Sequence, residues 1–132
     1  MMKRVPIIKP DSTIASASFM LAKKDTKVRI TWSLDDLNLQ GEVEANDYFE
    51  CLLQIRNVFE KNNLIILCNG ARYDVYPSRM SRQMGKGLKG YVLTLGKQAD
   101  EKDLVDIFKP IEDKAKIGTD QQQRDYYNKM AW

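Results

Sequence analysis

Residues 28–62 read VRITWSLDDLNLQGEVEANDYFECLLQIRNVFEKN, and partway along the period of their apolar positions changes from that of a strand to that of a helix. Val28, Ile30, Trp32 and Leu34 alternate with Arg29, Thr31 and Ser33, and Leu37, Leu39, Gly41 and Val43 alternate with Asn38, Gln40, Glu42 and Glu44. Period two puts each apolar set on one face, the pattern of an antiparallel sheet with one dry and one wet side. Asp35-Asp36 between the runs suits a tight turn, so the two strands are expected to form a hairpin. Asn46 or Asp47 then caps a helix over residues 46–61, with Asp47 and Glu50 at capping-box spacing. Within it Tyr48, Leu52, Ile55 and Phe59 recur at helical spacing, and Phe49, Leu53 and Val58 widen the stripe until Lys61-Asn62-Asn63 ends it. A helix with that stripe, following a hairpin with that face, is expected to lie on the sheet and make the core.

Upstream, residues 13–22 alternate too, with Ala15, Ala17, Phe19 and Leu21 on one side, and read as a further strand. Residues 1–11, with Pro6 and Pro10, read as an irregular lead-in. Downstream, residues 64–68 read as a buried strand, Asn69-Gly70 as a turn, and residues 73–76 as a short strand stopped by Pro77. Residues 78–90 are rich in glycine, methionine and basic side chains and read as a long loop; residues 90–95 read as another strand. Residues 100–108 read as a short acidic helix, and Thr119 caps a last helix running towards Trp132. No internal repeat or low-complexity segment appears. Strands, then a helix, then strands and short C-terminal helices, argue for an α+β fold with a mainly antiparallel sheet, one domain over residues 1–132.

The bulk composition, 43% hydrophobic and 30% charged over 132 residues, is that of a folded chain large enough to stand without metal or disulfides. A net charge of +3 is too small for the concentrated basic face that nucleic-acid binding usually shows. The distribution is more informative than the sum. Between Arg72 and Lys89 five basic residues stand against Asp74 alone, and between Asp100 and Asp113 six acidic residues stand against Lys102 and Lys109. Cys51 and Cys68 make no disulfide framework and are expected to be reduced and buried. No signal peptide is visible, and the longest wholly apolar run, residues 64–68, falls far short of a membrane span, which makes a reducing cytoplasm the expected location.

The chain contains no histidine. That removes the commonest general base, the usual nucleophile triads and most transition-metal sites, so neither a metal nor another cofactor is expected, nor is catalysis. Lys86, in Met84-Gly85-Lys86-Gly87, fails as a phosphate loop because glycine follows the lysine where serine or threonine is required. What stands out instead is residues 69–91, NGARYDVYPSRMSRQMGKGLKGY, where cations interleave with tyrosine and methionine. Arginine forks onto anionic groups, methionine adapts to irregular surfaces, and aromatics with arginine are enriched at binding hot spots. Arg72, Asp74, Tyr76, Arg79, Met80, Arg82, Met84 and Lys86 are therefore the first set of candidate binding residues. A plain reading, in which Tyr73, Val75 and Tyr91 pack and the charges face solvent, fits the same residues.

The segment also carries a resemblance. Gly70-Ala71-Arg72, Asp74-Val75-Tyr76-Pro77-Ser78, Met80-Ser81 and Met84-Gly85, followed by Tyr91-Val92-Leu93, Leu95-Gly96, Gln98-Ala99 and Asp103-Leu104-Val105-Asp106-Ile107-Phe108, are similar to immunity proteins of bacterial toxin systems, including contact-dependent growth inhibition. The likeness spans about residues 64–108. The pattern departs at Arg79, where a glycine follows Pro-Ser, and at Gln83, where an acid precedes the second methionine, which makes this segment more basic. The resemblance implies a protein that neutralises a cognate toxin domain by direct association. If that domain is a basic nuclease, Glu42, Glu44, Asp103 and Asp106 would supply a complementary acidic surface. Two other readings stay open: a nucleic-acid-binding module using Arg72–Lys89, and an enzyme acting on an anionic small molecule.

Overall fold

The computed structural model describes residues 1–130; Ala131 and Trp132, towards which the last helix was expected to run, lie outside the described residues. The hairpin and its helix form as the alternation dictates. Strands β1 (Met2–Ile8), β2 (Ile14–Lys24), β3 (Lys27–Leu34) and β4 (Leu39–Ala45) are followed by helix α1 (Tyr48–Lys61) and strand β5 (Ile65–Ile66). The five strands make an antiparallel sheet in the order β4-β3-β2-β1-β5. Val5, Ile7, Ala17, Phe19, Val28, Ile30 and Leu34 are fully buried on the face that α1 covers, together with Phe49, Leu52, Ile55 and Phe59 from the helix. The Trp32 indole meets the Phe59 ring edge-on, centroids 5.0 Å apart, and lies across β4 at Gly41. A Cβ on Gly41 would sit 2.7 Å from that indole, which is why the strand carries glycine there.

Asp47 caps α1 as expected, its carboxylate accepting the Glu50 N–H at 2.8 Å. Residues 35–37 close the hairpin as one 3₁₀ turn with Asn38 at φ +53, a conformation Asn tolerates well.

The lead-in reading of residues 1–11 is overturned. Residues 2–8 are β1, an interior strand between β2 and β5. Pro6 is accommodated because its carbonyl accepts the Leu67 N–H at 2.9 Å; its nitrogen points to that same side, where two-residue β5 ends and no ladder partner is lost.

The second half is built from short pieces. Strand β6 (Val75–Tyr76), helix α2 (Arg79–Met84), β7 (Lys89–Val92) and β8 (Leu104–Asp106) precede helix α3 (Asp120–Asn128). A three-stranded antiparallel sheet in the order β6-β7-β8 carries this part, and Ile107 and Phe108 at its end enter the main core. Two expectations fail here. Residues 78–90 are not one long loop, because Ser78 caps α2 by accepting the Ser81 N–H at 3.0 Å and Met80, Arg82, Gln83 and Met84 are good helix formers. Nor are residues 100–108 an acidic helix. Asp100 and Asp103 satisfy each other's backbone N–H in a reciprocal box, closing a single 3₁₀ turn over residues 101–103, after which Leu104-Val105-Asp106 pairs with Lys89–Tyr91.

A candidate interaction face around α2

Helix α2 is only six residues long, so its position depends on what ties it down. Gly85 and Gly87 both donate their N–H to the Ser81 carbonyl, at 3.0 Å each, which stops the helix. Lys86 and Gly87 then turn through positive φ, +56 and +73, and the Lys86 carbonyl accepts the Tyr48 N–H at the start of α1, at 2.7 Å. Gly87 nests against the cap of α1: a Cβ there would stand 3.1 Å from the Asp47 carboxylate. The glycine-rich turn thus clamps α2 to the first turn of the main helix. Arg82 adds a second tie, donating to Asp47 Oδ2 at 3.4 Å while its guanidinium lies 5.2 Å from the Phe49 ring centre and 5.5 Å from that of Tyr76.

So held, α2 presents Met80 and Met84 to solvent, 68% and 82% exposed, the two most exposed large apolar side chains among the described residues. Beneath them a cavity of about 360 Å³ opens over Leu88, Tyr91 and Leu104. A second, of about 640 Å³, continues from Tyr91 to Tyr76, Arg79, Leu93 and Tyr127. Among the described residues, Arg79, Lys86 and Lys89 have no carboxylate partner.

The other candidate residues are spoken for in various ways. Arg72 grips Asp74 with two parallel bonds, Nε to Oδ1 at 2.8 Å and Nη2 to Oδ2 at 2.9 Å, and Asp74 is 5% exposed. Tyr76 stacks on Tyr127, centroids 4.1 Å apart, and tilts against Phe49. The acidic candidates lie apart from α2 and are compensated locally. Arg29 reaches Glu44 at 2.6 Å and Glu42 at 3.3 Å across the wet face of the sheet, and Lys24 also meets Glu44. That pairing holds the Glu44 carboxyl below the usual range. Asp106 accepts the Phe108 N–H at 2.8 Å and pairs with Lys3 at 3.2 Å, and Asp103 is consumed by its reciprocal box. The structure therefore brings Arg79, Met80 and Met84 to the two adjoining cavities, turns Arg82 back onto Asp47, Phe49 and Tyr76, and leaves Glu42, Glu44, Asp103 and Asp106 out of the cavity walls.

Both thiols are buried, free and unprimed. Burial, and secondarily the carboxylates of Asp47, Glu50 and Glu44, push Cys51 up to about 12; burial does the same to Cys68, against a partial offset from Arg56. No group of three or more histidine, cysteine or acidic side chains among the described residues could hold a metal ion, and no helix among them is long and apolar enough to cross a membrane.

One polar assembly escaped the sequence reading. Arg56 sits on the buried face of α1, 8% exposed, and donates to the carbonyls of Gly70 and Gly118 and to Gln123 Oε1. Gln123, fully buried on α3, passes its own amide to the carbonyls of Gly70, Arg72 and Val75, at 2.8–2.9 Å. This pair stitches α1, the turn at residues 69–71, β6 and α3 together. Its only trace in the sequence is a charged residue at an apolar position of the helical stripe. No protein-family model matches this chain, and no curated protein matches it at a significant level.

Proposed function

We propose that this chain is an immunity-type binding protein that neutralises a toxin domain by direct association through the face built on α2. The observation that carries the reading is the pair Met80 and Met84. Two long apolar side chains are held in water on a helix that is capped by Ser78 and clamped by the Lys86–Tyr48 bond. Exposing them costs stability that a monomer with no partner would have no reason to forgo. Methionine in that place suits an irregular protein surface. The resemblance over residues 64–108 points the same way, since α2 lies in its middle.

The nucleic-acid reading draws on Arg79, Lys86 and Lys89 but needs free aromatic faces for bases. Tyr76 is stacked on Tyr127 and Tyr73 meets Tyr126 edge-on, so neither ring is open in the way that reading requires. The enzyme reading needs a primed group, and Arg72 with Asp74 is closed on itself while Cys68 keeps its proton to about 12.

Co-expression with the toxin domain encoded beside the gene tests the proposal. Rescue of growth and co-elution as a one-to-one complex are expected; continued killing with no complex on size exclusion removes it.

A further inference from the structure

We infer that the partner segment received by the α2 face is acidic as well as apolar, which inverts the charge relation expected from the sequence. The inference rests on the protein-binding reading above and specifies its chemistry. The two cavities that meet at Tyr91 are bordered by Arg79, Lys89 and Lys97, and no acidic side chain lines either of them. None of these three cations, nor Lys86 beside them, has a carboxylate partner among the described residues.

Several acids are taken up by other cations, among them Asp106, which stands opposite Lys89 in the β7–β8 ladder. Glu42 and Glu44 face Arg29 and Lys24, Asp106 faces Lys3, Asp74 faces Arg72 and Asp47 faces Arg82. An apolar groove bordered by three cations without a carboxylate partner, and lined by no acidic side chain, is complementary to an anionic partner. A basic nuclease surface would meet Arg79, Lys89 and Lys97 as like charges, a juxtaposition that disfavours association. The groove favours a peptide segment over a polyanion because its floor is Leu88, Tyr91 and Leu104 under two methionines, a surface that hydrocarbon side chains fill and phosphates do not. The occupant is a stretch of the partner in which Glu or Asp alternates with Leu or Phe.

The test uses the whole chain carrying ¹³C-methyl methionine, since Met80 and Met84 report on this face while Met2 and Met20 report on the far face of the five-stranded sheet. It is titrated with a synthetic Glu/Leu/Phe peptide, with the same peptide carrying Lys for Glu, and with a short single-stranded RNA. The acidic peptide is expected to move Met80 and Met84 saturably, to leave Met2 and Met20 in place, and to bind at least about tenfold more weakly when salt is raised from about 0.05 to about 0.5 M. The triple variant R79E/K89E/K97E changes only charges on the face and is expected to exchange the acidic peptide for the basic one. Equal response to both peptides, no response at Met80 and Met84, or response to RNA alone overturns the inference. The two proposals fail separately: a toxin domain that does not bind while the acidic peptide lands on α2 ends the immunity reading only. A toxin domain that binds while the peptide ignores α2 ends this inference only.

Discussion

Residues 2–61 and residues 69–106 form the same kind of antiparallel sheet by different means. In the first region strands of seven to eleven residues alternate cleanly, so burial follows from period alone, and between sheet and helix the interior is mainly hydrocarbon. In the second the strands are two to four residues long, too short for alternation to hold a register. Their geometry comes from specific polar ties: Arg72 on Asp74, Gln123 on three carbonyls, Lys86 on Tyr48. The lesson is about where function can sit. A region held by hydrophobic area tolerates little change on its buried face. A region held by point contacts leaves its outer side chains free of structural duty, and Arg79, Met80, Met84 and Lys86 are among those left free.

The strongest way to break the first region is to open its core. Phe59→Ala removes the ring that meets Trp32 and is expected to cost about 3–5 kcal/mol, read by urea unfolding, with both regions lost together. A smaller loss separates them. Gln123→Leu strands the Val75 carbonyl, leaves those of Gly70 and Arg72 with one weaker donor each and removes one Arg56 acceptor, and is expected to cost about 2–4 kcal/mol. Amide exchange in residues 69–76 should then rise well before exchange in β2 and β3, and a uniform rise would deny that the two regions are held differently.

The thiols sharpen the same contrast through pH. A thiol that holds its proton to about 12 in the folded chain but only to about 9.0 when unfolded adds nothing below pH 9. Above that the unfolded state gives up its protons first, so stability falls as pH rises from 9 towards 12, by up to roughly 1 kcal/mol per pH unit for each thiol. Cys68→Ala should flatten that decline, and native protein at pH 8 should react with a thiol reagent only as fast as it unfolds. Smallest of all, Glu42→Gln with Glu44→Gln should leave the thermal midpoint near that of the parent, since Arg29 and its partners are open to solvent.

How much of this was legible from residues alone follows the same division. The hairpin, α1 and its Asp47 cap, and β2 could be read because long periods average over local exceptions. β1 was hidden by Pro6, whose effect depends on which edge its nitrogen faces, a fact of pairing and not of sequence. Helix α2 was hidden by its own stop signals: Gly85 and Gly87 dominate the reading of residues 78–90, although Ser78 after Pro77 is a cap signal. Of the candidate binding residues, Arg79, Met80, Arg82 and Met84 fall on α2. The ion pairs of the acidic set, Glu44 with Arg29 and Lys24 and Asp106 with Lys3, could not be read ahead, because strand register and the packing of the two sheets bring them together. Lys97 and Tyr91 were not among the candidates, for they reach the cavity wall only through β7 and the loop that follows it.

The central claim is that binding resides on α2 and not on the acidic side of the sheet. Calorimetric titration of the toxin domain proposed as partner into Met80→Glu/Met84→Glu and into Glu42→Gln/Glu44→Gln, both checked for parental circular dichroism, separates the two. The account predicts a loss of at least about 100-fold in affinity for the first and a change within about twofold for the second. Unchanged affinity in the first with loss in the second would contradict it.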